Sequence, residues 1–263
     1  KVTELIFSNE FNEKIKISNN IKRIIFGDNF NKKIIIPNSI THLTIGQNYK
    51  KNIIIPNSVT HLIFRNYKNF YTKIEIPKNI IKLIYPYESN MIYKININNC
   101  LELYIINKKI KNVNELGNVH TLTLCRCENI RDVSKLGNIH TLNLSHCYYI
   151  LDVSALENVH TLNLSHCYYI LDVSALGNVH TLYLSFCINI KDVSALGNVH
   201  TLDLYGCKNI RDVSKLGNVH TLILSFCENI TDVSKLENVH TLILSKIMKN
   251  IKGVKKLKNI EWE

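Results

Sequence analysis

The sequence lacks the short motifs that accompany most enzymatic sites. No Gly-x-Ser-x-Gly, Gly-x-x-x-x-Gly-Lys or His-Glu-x-x-His phrase occurs between Lys1 and Glu263, so nothing indicates a serine hydrolase, a phosphate-binding loop or a zinc protease. No apolar run is long enough to span a bilayer or to form a secretory signal core. We therefore expect a chain that is not an enzyme, uses no cofactor and lies in no membrane.

What the sequence does contain is a coil repeat of fixed length. A phrase reading Val-His-Thr-Leu, or Ile-His-Thr-Leu once, recurs every 20 residues, with its histidine at His120, His140, His160, His180, His200, His220 and His240. Counted from the Val or Ile, the apolar residues fall at coil positions 1, 4, 6, 9, 12, 15 and 18. This is neither a sustained helical period nor a sustained strand alternation. It predicts a short strand, a turn and a second inward-facing segment in each coil.

Coils of this length can bury their apolar side only by stacking on one another. Stacking places the Leu-x-Leu segments side by side as a parallel sheet, with neighbouring strands about 4.8 Å apart. The return side is too short for a long α-helix, and Asp192-Val193-Ser194 and its equivalents predict a 3₁₀ turn capped by the aspartate. The expected fold class is an α/β repeat solenoid, with a single parallel β-sheet on one face and short 3₁₀ or extended return segments on the other.

The coils of residues 100–250 resemble the leucine-rich repeat, with Cys at coil position 9 where many such repeats carry Asn. Their Ile-x-Asp-Val-Ser-x-Leu segment is similar to the internalin type of that repeat. The resemblance implies a binding scaffold with a parallel sheet. Residues 251–263 form the expected terminal coil.

Residues 1–99 carry a second form of the repeat, with spacings of 19 to 21 residues. Strand openings such as Ile40-Thr41-His42-Leu43 alternate with phrases such as Phe30-Asn31-Lys32-Lys33-Ile34-Ile35-Ile36-Pro37. This resembles the FNIP repeat, a relative of the leucine-rich repeat known from social amoebae and giant DNA viruses. Because openings continue from Val2 to Ile260, we expect one continuous solenoid over residues 1–263.

The cysteines form a column in place of a zinc motif or disulfide framework. No Cys-x-x-Cys pair occurs, and six of the eight cysteines share coil position 9, namely Cys127, Cys147, Cys167, Cys187, Cys207 and Cys227. We predict a buried, reduced and metal-free column whose weakly donating thiols satisfy turn carbonyls. Free thiols in this number favour a reducing compartment, so the expected location is intracellular, in the host cytoplasm if the protein is viral.

The histidine column admits two interpretations. Stacked imidazoles along one edge could bind a cation or repel one another on protonation. A corner residue repeated in every coil more often serves the turn itself through hydrogen bonds, and a straight ladder offers no convergent metal ligands. The structural interpretation is favoured, and no metal site is expected.

Function is expected where the coils differ, because a residue that the fold requires recurs in each coil. Coil positions 5 and 7 are predicted to face outward from the sheet, and position 8 lies where the chain leaves the strand. A mixture of aromatic, apolar and acidic side chains over adjacent coils is typical of a protein interface. The candidate partner-binding residues are Tyr183, Phe186, Asp203, Tyr205, Ile223 and Phe226, with Arg126, His146 and His166 in the same columns.

Most of the net charge of +11 lies in residues 1–99. A basic half could meet nucleic acid or an acidic partner. Its lysines stand in loops, as at Lys32-Lys33 and Lys50-Lys51, without interleaved aromatic residues, so a solubilising role is favoured over a nucleic-acid site.

Taken together, these features predict a non-enzymatic protein–protein interaction scaffold. In giant viruses, repeats of this kind often follow an F-box, which recruits a cullin ubiquitin ligase while the solenoid holds the substrate. The resemblance implies the substrate-recognition arm of such an adaptor, with the F-box outside this sequence. Two alternatives stay open: binding of nucleic acid or an acidic partner through the basic half, and an extracellular adhesion solenoid.

Overall fold

The computed structural model describes residues 2–65, 75–86, 100–106 and 110–263. The chain forms two compact units, Lys1–Lys109 with Val119–Thr123 and Ile110–Asn118 with Leu124–Glu263. Parts of the FNIP-like segment, at 66–74 and 87–99, lie outside the described residues. The single continuous solenoid over residues 1–263, with its subdivisions at 99 and 250, stays a prediction.

In its described residues, the first unit is built on seven short parallel strands that pair in the order of the chain. In-register pairs such as Leu5 with Ile24, Ile24 with Leu43 and Leu43 with Leu62 run through the sheet. The strands are β1 (Glu4–Ile6), β2 (Arg23–Ile25), β3 (His42–Ile45), β4 (His61–Phe64), β5 (Lys82–Pro86), β6 (Glu102–Ile106) and β7 (Thr121–Thr123).

The second unit repeats this arrangement with greater regularity. Its leucines at coil position 4 are in register from strand to strand, as with Leu182 beside Leu162 and Leu202. The strands are β8 (Thr141–Asn143), β9 (Thr161–Asn163), β10 (Thr181–Tyr183), β11 (Thr201–Asp203), β12 (Thr221–Ile223), β13 (Thr241–Leu244) and β14 (Ile260–Trp262). Parallel pairing in both units confirms the expected fold class.

The return side of the second unit consists of 3₁₀ turns and extended chain, as expected. Its 3₁₀ segments are Asn114–Leu116, Ser154–Leu156, Ser174–Asn178, Ser194–Asn198, Lys246–Met248 and Val254–Lys256. In six coils, from Asp132 to Asp232, the aspartate Oδ1 accepts the backbone N–H of the serine two residues later, at 2.8–2.9 Å. This bond closes a local turn, and in the five coils from Asp132 to Asp212 it is the main cause of the lowered pKa of the carboxyl. At Asp232 the hydrogen bond from Lys252 is the main cause of the lowered pKa, and the bonds from Ser234 add to it.

The cysteine column is buried, as the sequence predicts. The thiol of Cys187 donates to the carbonyl of Leu164 at 3.1 Å, and the same bond joins Cys147, Cys167, Cys207 and Cys227 to the leucine at coil position 6 of the preceding coil, at 2.9–3.3 Å. Burial raises the pKa of Cys187 and of Cys227 to about 12. All eight cysteines are free thiols.

The first unit fills the corresponding space with aromatic rings. The rings of Phe11, Phe30 and Tyr49 stack from coil to coil with centroids 6.1 Å apart at each step, and Phe26 packs on Phe30 at 4.3 Å. Its return segments are extended, so that Ile34 and Ile36 point inward while Ile35 between them is 86% exposed. A core residue therefore alternates with a fully solvated one, as in a strand.

Candidate functional site

The point where the chain leaves each strand of the second unit has an unusual backbone. At coil position 8 the dihedral φ is 58–61° in five residues that are not glycine: Arg126, His146, His166, Phe186 and Phe226. The left-handed region disfavours bulky side chains, by roughly 1 kcal/mol per residue. Glycine, which avoids this penalty, occupies the column at Gly206, with φ of 67°. Large side chains thus stand at a position where the backbone favours small ones.

Four of these side chains and Tyr205 at coil position 7 build a continuous ribbon of rings, which we call the exit strip: His146, His166, Phe186, Tyr205 and Phe226. The His146 and His166 rings stack with centroids 4.2 Å apart, and His166 stacks on Phe186 at 4.7 Å. Phe186 meets Tyr205 edge to face at 5.2 Å, and Tyr205 packs on Phe226 at 5.1 Å. Both distances lie in the range of favourable aromatic contacts.

Gly206 and Tyr205 together keep the strip unbroken. A Cβ atom at Gly206 would lie 2.8 Å from Cδ1 of Phe186, closer than carbon atoms can approach. The glycine therefore makes room for the Phe186 ring, while Tyr205, one residue earlier, supplies the missing ring from coil position 7. The glycine was a signal in the sequence for the left-handed position that sequence reasoning did not use.

The strip is partly shielded instead of fully exposed. Tyr183, Phe186, Tyr205 and Ile223 are half-buried, and Phe226 is 39% exposed. Tyr183 and Tyr205, predicted to face outward, are therefore less exposed than predicted. At Tyr205 the rings of Phe186 and Phe226 cover part of the side chain. Coil position 7 also turns inward in places, since Ser225 is completely buried.

Asp203 is held by the protein itself. Its Oδ1 accepts the backbone N–H of Tyr205 at 2.8 Å, and its Oδ2 accepts the hydroxyl of Ser185 at 2.5 Å. Asn143 and Asn163 accept the backbone N–H of the serine at coil position 7 in the same way, at 2.9 Å. Asp203 thus stabilises the turn that carries Tyr205. It was predicted to bind a partner, and in the structure both of its carboxylate oxygens bond within the chain, beside the strip.

The N-terminal end of the strip is polar. Nδ1 of His146 and Nδ1 of His166 lie 3.4 and 3.2 Å from the hydroxyl groups of Tyr148 and Tyr168, and those two tyrosine rings stack at 5.2 Å. Burial is the main cause of the lowered pKa of both histidines, so both are neutral at pH 7. Arg126, in the same column one coil earlier, is exposed. The strip therefore changes from polar to apolar along its length.

The histidine column at the start of the strands has the structural role favoured from the sequence. From His120 to His200, Nδ1 of each ring lies 3.2–3.3 Å from the hydroxyl of the following threonine. From His140 to His240 the rings also stack at 4.4–4.6 Å. Across the described ranges, no three His, Cys, Asp or Glu side chains converge on a possible metal position.

The basic residues of the first unit are dispersed. Lys14, Lys33, Lys50 and Lys51 are exposed and Lys32 is half-buried. Ion pairs of this unit, such as Arg23 with Glu4 at 3.1 Å, lie on the surface, where they stabilise the fold little. No helix in the described part of the chain has the length and apolar character needed to cross a membrane.

Comparison with known proteins agrees with this geometry. The FNIP Repeat family model matches residues 11–48 and 31–67. The FNIP resemblance is confirmed for this segment. No curated protein matches the chain.

Among solved structures, an internalin, InlF, of Listeria monocytogenes is similar over 100% of this chain and 87% of its own, with 16% identity and a TM-score of 0.62. CroV588, a circular leucine-rich-repeat protein, is similar over 99% of this chain and 50% of its own, with 16% identity and a TM-score of 0.54. These similarities show a leucine-rich-repeat fold.

Proposed function

We propose that this chain is a non-enzymatic protein-binding scaffold that holds its partner on the exit strip. The observation that carries the proposal is the run of five contacting rings, four of which stand on a backbone that disfavours large side chains. A strained conformation that persists with bulky residues is typical of functional positions. Aromatic side chains are also the residues that most often anchor protein interfaces.

The neighbouring sheet face supports a partner with an apolar contact surface. Tyr183, Ile223 and Ile243 stand on β10, β12 and β13 beside the apolar half of the strip, with Asp203 on β11 between the first two. Asn143 and Asn163 stand beside its polar half. A partner that covers Phe186, Tyr205 and Phe226 would bury apolar area without meeting an unpaired charge, because Asp203 already has two hydrogen-bond donors. We propose that the anchoring contact lies over β10 to β12.

A paired set of variants tests the proposal. Tyr205→Ala with Phe226→Ala removes two rings of the strip, and we expect the chain to lose its main partner in affinity capture from cells that express it. Loss of their aromatic packing should lower the free energy of unfolding by about 1 kcal/mol. Leu204→Ala, one residue away but fully buried, should lower it by about 2–5 kcal/mol and leave capture at low temperature intact.

A second set of variants tests whether the partner binds the basic half instead of the exit strip. It neutralises four lysines: Lys32, Lys33, Lys50 and Lys51. If capture survives the change of the two rings but is lost with these lysines, the partner binds the basic half and the proposal is wrong. Retention on nucleic acid that falls with added salt would point to the same alternative.

The adaptor role in a cullin ubiquitin ligase and the intracellular location are finer parts of the same proposal. The FNIP match over residues 11–67 supports the first, and the column of free, buried thiols supports the second. Capture with the full natural protein should then recover a cullin together with the substrate. Recovery of the partner without a cullin would support the scaffold function and contradict the adaptor role.

A further inference from the structure

A second apolar surface lies on the return side of the second unit, at coil positions 10, 11 and 13. We call it the return patch, and its members are Tyr149, Leu151, Tyr169, Leu171 and Ile188, with exposed fractions of 40%, 59%, 50%, 66% and 39%. The Tyr149 and Tyr169 rings stack at 5.6 Å, which joins the two coils. Apolar groups exposed next to one another in this way mark binding surfaces more often than isolated ones.

The other coils show that the fold does not require these residues. At coil position 11, Asn189, Asn209 and Asn229 each donate a side-chain N–H to a carbonyl of the preceding coil, at 2.6–2.7 Å. Tyr149 and Tyr169 stand at the same position and have no amide to donate this bond. The patch therefore replaces a structural hydrogen bond with an exposed ring.

Coil position 13 changes in the same two coils. It is Arg131, Lys191 and Arg211 in neighbouring coils but Leu151 and Leu171 in the patch. Two adjacent columns thus turn from polar to apolar together. Duplication of one coil can account for the second copy of each residue, but it cannot account for the first departure from the repeat.

Arg131 covers one end of the tyrosine stack, and the stack ends at Tyr169, which is 50% exposed. The guanidinium carbon of Arg131 lies 4.9 Å from the centroid of Tyr149, whose ring stacks in turn on Tyr169. The next coil carries Asn189 at this position, so no ring of the column follows Tyr169. Aromatic faces attract cations, and Arg131 shows that this stack accepts a guanidinium.

Carboxylates adjoin the patch. Asp152 and Asp172 directly follow Leu151 and Leu171, and Leu171, Asp172 and Asp192 line one shallow depression of about 370 Å³ together with Ser174, Ser194 and Ala195. The turn bonds to these aspartates lower the pKa of each carboxyl, so they are ionised at neutral pH. The cations Arg131 and Lys191 lie one coil beyond each end of the two leucines, which leaves the centre of the patch acidic.

We propose that the return patch binds a cationic, amphipathic peptide segment of a partner protein. Apolar side chains of that segment cover Leu151 and Leu171, and an arginine or lysine packs on the exposed part of the Tyr169 ring while it pairs with Asp172 or Asp192. The surface is distinct from the exit strip, so this binding does not depend on the function proposed above.

A fluorescent peptide that alternates leucine with arginine is the probe, measured by anisotropy against the full chain. Peptides with glutamate in place of arginine, or serine in place of leucine, are the comparisons. The test variant combines Tyr149→Asn, Leu151→Thr, Tyr169→Asn and Leu171→Thr. Each new residue already occurs at the same coil position, as at Asn209 and Thr231, so the variant should fold and its net charge is unchanged.

We expect this variant to weaken binding of the Leu-Arg peptide by at least about tenfold. Asp172→Asn with Asp192→Asn keeps the turn acceptors and removes two charges, so it should weaken binding severalfold and reduce its salt dependence. Tyr205→Ala with Phe226→Ala should bind the probe normally, which separates this surface from the exit strip.

Three results would overturn the proposal: equal binding of the glutamate peptide, unchanged binding by the fourfold variant, or no binding of the Leu-Arg peptide up to roughly millimolar concentration. If the chain dimerises, and the fourfold variant abolishes the dimer without any effect of the peptide, a second copy covers the patch instead.

Discussion

The two units solve the same packing problem with different chemistry. Both stack short parallel strands at a repeat of about 20 residues, but behind the strand the first unit places the Phe11–Phe30–Tyr49 ring column and the second a column of thiols. A ring fills volume and forms no hydrogen bond to the turn, whereas a thiol is small and donates to a carbonyl of the preceding coil. Coils of similar length and strand arrangement can therefore be filled by different kinds of interior side chain.

Their asparagine ladders also differ in direction. In the first unit, Asn12 and Asn31 accept a backbone N–H from the next coil at 2.9 Å. In the second, Asn189 and Asn209 donate to a carbonyl of the preceding coil at 2.7 Å. The same residue type thus links successive coils through opposite ends of its amide group, which makes the comparison open to direct experiment.

Alkaline pH should separate the two units most strongly. Cys187 and Cys227 have a pKa of about 12 when folded, against an ordinary value of 9.0, so the unfolded chain releases these protons first. Rising pH therefore favours unfolding. The contribution of each buried thiol to the free energy of unfolding is fully present below about pH 9 and falls by about 1.4 kcal/mol per pH unit towards about pH 12.

Amide hydrogen exchange across this pH range should show the second unit opening first. Burial contributes to the raised pKa of five of its thiols, those of Cys147, Cys167, Cys187, Cys207 and Cys227, whereas in the described residues of the first unit Cys100 and Tyr49 have raised pKa values, about 11 and about 12. The variant Cys187→Ala should show a shallower loss with pH. Equal loss in both units would mean that the thiols do not govern alkaline stability.

Removing the Phe30 ring should destabilise the first unit nearly as much as alkaline pH destabilises the second. Phe30→Ala deletes a fully buried side chain that contacts Phe11, Phe26 and Tyr49, and we expect a loss of about 3–5 kcal/mol in the free energy of unfolding. Urea denaturation measures the change. Ile35→Ala, in the same coil but 86% exposed, is the control and should stay within about 0.5 kcal/mol of the parent.

Swapping the amide for a carboxylate tests the direction of the two ladders. Asn31→Asp retains the acceptor for the N–H of Lys50, so its effect on stability should be under about 0.5 kcal/mol. Asn209→Asp loses the donor to the carbonyl of Ile188 and brings two acceptors together, so we expect a loss of about 1–2 kcal/mol. Thermal unfolding of both variants measures the two changes. Equal effects would show that neither ladder depends on whether the amide oxygen or the amide N–H forms the hydrogen bond.

Sequence reasoning found the repeat because stacking forces the same inward positions in every coil. It predicted the buried thiols at Cys127 to Cys227 and the turn-closing aspartates for the same reason. It could not give the left-handed backbone at coil position 8, because Arg126, Phe186 and Phe226 are residue types that rarely adopt that conformation, although Gly206 and the two histidines of the column favour it. Nor could it give the half-burial of Tyr205, since this depends on how the rings of Phe186 and Phe226 pack against it. The partner-binding role of these residues stays a prediction.

The smallest expected effect concerns the return patch, where tyrosine replaces the asparagine that other coils of the second unit carry at coil position 11. Tyr169→Asn places an amide where Asn189 and Asn209 donate to the preceding coil, so the new side chain should reach the carbonyl of Tyr148. It also removes an exposed ring stacked on Tyr149. We expect a net gain of about 0.5 kcal/mol in the free energy of unfolding, since restoring the repeat's own residue commonly stabilises a protein. Differential scanning calorimetry against the parent, with Asn189→Tyr as the reverse change, measures it. A gain in the first and a loss in the second would show that the patch is kept at the expense of stability. A loss in Tyr169→Asn would instead make the tyrosine stack a structural element of these two coils.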